Sequence, residues 1–252
     1  MRKTIKRLIA IICLIIFCPS LKAQDLTVCA VPQTYNALEQ LKQISPIRFN
    51  SFYAVPSEIF SRISNNNGIC DLIISSDEKL PILLIRSNLA AFGNKRALVK
   101  APLVLWSKNP DLLSEDASVV KKEQLKSISI PDARLTPVGF AAHEVASQKD
   151  FPTNYLKTKG RIYRASHEYA VFAMVDSTYV QTGFLTKPLI MKDGHTLGSY
   201  WQIPSNLYPE IIYYSVISAH GEKSKDSKAL VKFLHENNQS LECFIKQGFD
   251  PL

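Results

Sequence analysis

Residues Ile130–Ala146, IPDARLTPVGFAAHEVA, join a short apolar run to a helix-like pattern across Pro131 and Asp132. The apolar run is Ser127–Ile130, and the helix-like pattern opens at Thr136-Pro137-Val138-Gly139. Proline at the first helical position has no N–H to leave unpaired. Gly139 permits a close backbone approach. The N–H groups of Val138, Gly139 and Phe140 are expected to point out of the helix start without intrahelical partners. Such a terminus attracts anions. Helix starts are common and helix-start ligands are not, so in isolation the stretch reads as an ordinary strand-to-helix junction. The rest of the chain shifts that balance.

On either side of this junction, strand-like and helix-like runs alternate. Before it come a strand at Leu26–Val31 and a helix at Tyr35–Ile44 with Leu38, Leu41 and Ile44 on one face. A strand at Ile47–Phe52 follows. Ser57 reads as the N-cap of a short helix through Ile63. Asn65-Asn66-Asn67-Gly68 reads as a turn, and Leu72–Ile74 as a buried strand ending in Ser75-Ser76-Asp77. Ala97–Trp106 is β-prone and broken by Pro102. After the junction come strands at Arg161–Tyr163, Thr182–Leu185 and Ile211–Ser218. Helices are expected at Ser166–Val175, from Ser224 to about Asn237, and from Ser240 to about Gln247, the last ended by Gly248. This alternation predicts an α/β fold with mainly parallel sheets. In open sheets of this class, ligands sit beyond the carboxyl ends of the strands. Gln33, Thr34, Ser57, Ser75–Asp77, Thr136–Gly139 and Thr186 fall at such ends.

The N-terminus reads as a secretory signal over residues 1–23. Arg2, Lys3, Lys6 and Arg7 form its basic start, and Leu8–Cys18 its apolar core of eleven residues. Leu21-Lys22-Ala23 supplies the small residue at the cut. The core is shorter than the roughly 20 residues that span a bilayer. Phe17 is too large for a lipid-anchor signal at Cys18, so a soluble exported protein is expected. The formal charge of +8 falls to +3 once this segment is set aside, leaving 25 Lys and Arg against 22 Asp and Glu. With no basic stripe interleaved with aromatics, nucleic acid is not an expected partner. The remaining 229 residues fit one large domain or two lobes of about 100 residues each. Cys29, Cys70 and Cys243 stay after the cut. A Cys29–Cys70 disulfide, between two runs suited to neighbouring strands, and three buried thiols are both open.

Catalytic motifs are missing. The chain has no Gly-x-Ser-x-Gly, no His-Glu-x-x-His, no phosphate loop and no Gly-x-Gly-x-x-Gly. The five histidines are scattered, and the cysteines lack zinc spacing. His167-Glu168 at a helix start reads first as a capping pair. Lys121 and Lys122 read as a solvated face. An enzyme is therefore not expected, and no cofactor is implied.

Several segments, taken in order, resemble the periplasmic molybdate-binding proteins of ABC transporters. Leu26–Ala30 with Asn36-Ala37-Leu38 is similar to the family's first strand and helix. Ser57 and then Cys70–Asp77 resemble its second anion loop and third strand. Phe92–Val99 resembles the segment entering the hinge. Asp132–Ala141 is similar to its Asp-Pro…Pro-x-Gly-x-Tyr-Ala stretch, and Gly183–Thr186 to its Gly-Ile-x-Tyr strand. Tyr208-Pro209, Phe233-Leu234, Phe244 and Gly248-Phe249 resemble its C-terminal end. The resemblance implies the two-lobed type II binding-protein fold, with a ligand cleft between lobes. Residues 24–103 and 207–252 would form one lobe and residues 104–206 the other. The hinge would be crossed near Ala101–Trp106 and Ser199–Tyr208.

It also implies a tetrahedral dianion, molybdate or tungstate, held by hydroxyls and backbone N–H donors without a cationic side chain. Carried over position by position, the ligand-binding set is Gln33, Ser57, Val138, Glu168 and Thr186. Ser57 and Val138 keep the family's groups. Gln33 stands where a serine is expected, and Thr186 where a tyrosine hydroxyl is. At Glu168 the backbone N–H would donate while the side chain faces away. A carboxylate facing the anion would oppose binding. The implied partner is an ABC permease, with the binding protein a periplasmic monomer. A second reading is a sensor or interaction module of the same fold with an altered ligand: sulfate, phosphate or a small organic anion.

Overall fold

The computed structural model describes residues 25–66, 69–114, 120, 125–192 and 194–252. The signal segment 1–23, the end of the turn at Asn67-Gly68, and Lys121 and Lys122 lie outside the described residues.

Twelve strands and eight helices follow one another along the described chain. They are β1 (Leu26–Ala30), α1 (Tyr35–Ile44), β2 (Phe49–Tyr53), α2 (Pro56–Ser64), β3 (Leu72–Ser75), α3 (Lys79–Arg86), β4 (Arg96–Lys100) and β5 (Leu103–Ser107). Next come β6 (Ile128–Pro131), α4 (Pro137–Ala146), α5 (Thr153–Thr158), β7 (Ile162–Ala165), α6 (Glu168–Asp176) and β8 (Thr182–Thr186). The last are β9 (Met191–Lys192), β10 (His195–Thr196), β11 (Ser199–Gln202), β12 (Ile212–Ile217), α7 (Lys225–Glu236) and α8 (Asn238–Ile245).

Two five-stranded sheets organise ten of the strands, in the orders β2-β1-β3-β12-β4 and β11-β5-β8-β6-β7, and β9 pairs with β10. The expected parallel pairing holds for β2-β1-β3 and for β7-β6-β8. The other pairs are antiparallel, so each sheet is mixed rather than mainly parallel. The reason is the path of the chain. β5 and β12 are the strands through which it enters one sheet from the other, and each runs against its neighbours.

Both faces of each sheet are covered, which follows from the alternation along the strands. On the first sheet Val28, Ala30, Leu72 and Ile74 join one apolar cluster with Leu38 and Leu41 of α1, while Cys29 and Ile73 join Ile59 and Leu84 on the opposite face. On the second, Leu103 and Leu105 meet Ala141 and Val145 of α4, while Val104 and Trp106 meet Val175 of α6. A strand buried on both sides must be apolar at nearly every position, and β3 and β5 are. Cys29 and Cys70 form a disulfide on the α2–α3 side of the first sheet, with Cα atoms 5.6 Å apart. Cys243 is a free, buried thiol.

The chain crosses between the sheets at Ala101-Pro102 and again between Gln202 and Ile212. Pro102 has no N–H to extend a ladder, so the β-prone run 97–106 divides into β4 in one sheet and β5 in the other. The crossings are tied together. Ala101 N donates to Ile211 O at 2.9 Å, and Leu103 N to the Tyr208 hydroxyl oxygen at 3.0 Å.

Five elements were not evident from periodicity, the two-residue strands β9 and β10 among them. Helix α3 contains Pro81, but at its third position, where no intrahelical N–H is needed. Helix α5 is six residues long, and β11 is an edge strand on β5. One cap differs from expectation. Ser57 is the second residue of α2; its N-cap is Val55, without a side-chain cap, because Pro56 takes the first helical position.

Candidate anion cleft

Five chain turns meet in one cleft between the two sheets, with a volume of about 480 Å³. The first sheet contributes the 3-10 turn Pro32–Thr34 after β1 and the starts of α2 and α3. The second contributes the starts of α4 and α6. Gln33, Ser57, Val138 and Glu168 all line the cleft, one from each of four of these turns. Thr186 does not line it. It is fully buried at the end of β8, behind Glu168.

The local reasons for these turns are explicit. Val31 and Val55 are extended residues followed by proline, which opens a helical turn with its ring in place of an N–H. Thr136 caps α4: its hydroxyl accepts from Gly139 N at 2.9 Å and its carbonyl from Phe140 N at 3.0 Å. Two of the three N–H groups expected to be free are therefore in use, and Val138 carries the remaining one. A Cβ on Gly139 would lie 2.3 Å from Asp132 O. The close approach that Gly139 permits is to its own β6–α4 loop, not to a ligand. His167 caps α6 as the capping reading expected. Its Nδ1 accepts from Ala170 N at 3.3 Å, leaving the Glu168 and Tyr169 N–H groups at the helix start.

Glu168 departs from expectation. Its side chain does not face away: it is 3% exposed and turned into the protein. Glu168 Oε2 accepts from Thr186 N at 2.7 Å and from Thr186 Oγ1 at 2.8 Å. Glu168 Oε1 accepts from Gln33 Nε2 across the cleft. Three of the five expected site residues thus bond to one another. The physical cause is the donor set itself: a carboxylate beside an N–H and a hydroxyl at the end of β8 takes the bonds an anion would otherwise take. Burial pushes the Glu168 pKa up from 4.5, opposed by the Thr186 and Gln33 donors. Gln33 is 8% exposed, and its Oε1 is buried without a hydrogen-bond partner.

Lys79, Asp77 and Tyr169 also line the cleft and lie outside the expected ligand-binding set, although Asp77 was among the residues at ligand-side strand ends. Lys79 Nζ donates to Arg134 O of the opposite side at 3.3 Å. Asp77 Oδ1 is held by Ser75 Oγ and by Leu80 N, each at 3.2 Å. Ser75-Ser76-Asp77 before an apolar run was the available signal for α3, and hence for Lys79. The Arg134 guanidinium is directed to Asp132 at 2.9 Å. Among the described residues, no group of three or more His, Cys, Asp or Glu is placed to hold a metal ion.

Residues 26–250 match the family of bacterial extracellular solute-binding proteins. The molybdate-binding protein ModA of Azotobacter vinelandii is 27% identical over 176 residues, covering 69% of this chain and 68% of that protein. ModA of Rhodobacter capsulatus is 28% identical over 183 residues, covering 71% and 68%. Among solved structures, the periplasmic molybdate-binding protein of Azotobacter vinelandii superposes with a TM-score of 0.75 at 21% identity, over 89% of this chain and 98% of that one. This is the two-lobed binding-protein fold. With its two sheets, its double crossing and a family match over nearly all the described residues, the chain belongs to the bacterial extracellular solute-binding proteins.

Proposed function

We propose that this protein captures a tetrahedral oxyanion, molybdate or tungstate, in the cleft between its lobes and delivers it to an ABC permease in the periplasm. The role is binding, not catalysis. The observation that carries it is the convergence of four turn and helix starts, at Gln33, Ser57, Val138 and Glu168, on one cleft. Backbone N–H groups at such starts are preorganised donors for an anion. The two ModA relatives, named for molybdate binding, support the choice of anion. The lobes would be residues 24–103 with 207–252, and residues 104–206, closing about the two crossings.

The test is a melting series of the purified mature chain with molybdate, tungstate, sulfate and phosphate. A ligand present at 100 times its Kd adds about 2.7 kcal/mol. Molybdate or tungstate should raise the Tm accordingly, and a flat response to all four anions sinks the proposal. Ser57→Ala should weaken anion binding by about 1–3 kcal/mol if its hydroxyl reaches the ligand. Unchanged affinity would remove Ser57 from the site.

A further inference from the structure

The Gln33–Glu168 contact has a donor-acceptor logic that bears on how an anion enters. With Glu168 ionised, Gln33 must turn its NH₂ toward the carboxylate. The other half of the amide, Oε1, is then left buried without a donor, in a side chain that lines the cleft. In this state the Gln33–Glu168 pair at the cleft wall holds a buried, unpaired carbonyl oxygen and a carboxylate, neither of which can donate to an oxyanion. Protonation reverses both features. A carboxyl O–H on Glu168 Oε1 donates instead of accepting, so the amide inverts and Gln33 Oε1 takes that hydrogen. Gln33 Nε2 is then released from the carboxylate, which frees two N–H donors in a side chain that lines the cleft. Glu168 Oε2 keeps both Thr186 bonds in either state, so β8 need not move.

We propose that the Gln33–Glu168 pair couples oxyanion capture to uptake of one proton, with Glu168 holding the proton and the inverted Gln33 amide donating to the anion. Within the oxyanion reading on which it rests, this makes Glu168 a specificity-determining residue. The proton comes from solvent and is released with the anion.

Few other groups compete for this role. Tyr169, beside Glu168 on α6, and Tyr213, from β12 next to Thr186, are both pushed up by burial and stay neutral. His167 precedes Glu168, and its Nδ1 is engaged by Ala170 N. From the opposite side of the cleft come Asp77, held by Ser75 and Leu80, and Lys79, held by Arg134 O.

The experiment is calorimetry of tungstate binding to the mature chain between pH 6 and 8.5, in two buffers of different ionisation enthalpy that are not themselves oxyanions. Above the Glu168 titration the native chain should take up about one proton per anion, and its Kd should rise about tenfold per pH unit. Glu168→Gln keeps the shape, holds the neutral form permanently and lets Gln33 invert. It should bind tungstate more tightly than the native chain at pH 8.5, with no proton uptake and a flat pH profile. Gln33→Met removes the amide and should lose both affinity and proton linkage; because it also takes the donor from Glu168 Oε1, its folding is checked by far-UV circular dichroism.

Tungstate binding by the native chain with no proton uptake overturns the coupling and leaves the oxyanion reading standing. Proton uptake that persists in Glu168→Gln also overturns it, because the anion or another group then carries the proton. No tungstate binding by native chain or variant at any pH overturns the oxyanion reading and the coupling together.

Discussion

Glu168 is the residue on which the site turns, and its burial has a measurable consequence even without a ligand. Its pKa is raised in the folded protein above the ordinary 4.5, chiefly by burial. A carboxyl that binds its proton more tightly when folded stabilises the fold below the unfolded value. That contribution is lost as pH rises through the folded value. Glu168→Gln should therefore melt higher than the native chain at pH 8, with the gap closing toward pH 4.5 in a thermal-unfolding series. A variant that melts lower at pH 8 would show that the Thr186 and Gln33 bonds to the charged form outweigh burial. His235 acts in the opposite direction. Burial, followed by the charge of Arg96, lowers its pKa from 6.5 to about 4, and its Nε2 lies 2.8 Å from Ser215 Oγ. Its contribution is present above pH 6.5 and lost as pH falls through about 4. His235→Gln should flatten the acid limb of the same series, and an unchanged limb would assign acid unfolding to other groups.

Among the elements, α4 shows how a local sequence signal and its cause can differ. Pro137 and Thr136 announced the helix start, and the start is where they place it. The groups that looked available for a ligand are mostly used by the cap itself, through Thr136 Oγ1 and the Thr136 carbonyl. Thr136→Ala should cost about 0.5–2 kcal/mol, the usual worth of such a cap. Gly139→Ala should cost about 1–3 kcal/mol, because its Cβ would meet the rigid Asp132–Ala133 backbone rather than a movable side chain. Urea unfolding of both variants reads these values. A neutral Gly139→Ala would mean that the β6–α4 loop yields. Helix α6 is the counterpart across the same sheet. His167 was legible as its cap, but its first residue's side chain was not, because the Thr186 donors that draw it inward arrive eighteen positions later.

For the whole molecule, the order of strands decides what the individual runs become. The run 97–106 has one composition throughout, yet Pro102 divides it between two sheets, and the chain's return near Ile211 ties the crossing closed. The Cys29–Cys70 disulfide spans 41 residues of separation and fastens β1 to the entry of β3. A loop of that length corresponds to about 4 kcal/mol in the chain-entropy account. Cys29→Ala with Cys70→Ala should lower unfolding free energy by about 2–4 kcal/mol while leaving anion affinity unchanged, since neither cysteine lines the cleft. A loss of less than 0.5 kcal/mol by chemical denaturation would count against it.

The sequence by itself determined most of the elements and their α/β class. Apolar runs buried on both faces must be central strands, Pro137 opens the turn into α4, and the family resemblance of the segments in order points to two lobes crossed twice. It also named the turns that meet at the cleft, because helix starts beyond strand ends are local features. Tertiary structure alone decided what those residues do there. Gln33 and Glu168 are 135 positions apart, and nothing in either neighbourhood specifies that an amide from one lobe reaches a carboxylate of the other. Burial raises that carboxylate's pKa, and burial depends on packing across the cleft rather than on the residues beside it in the chain.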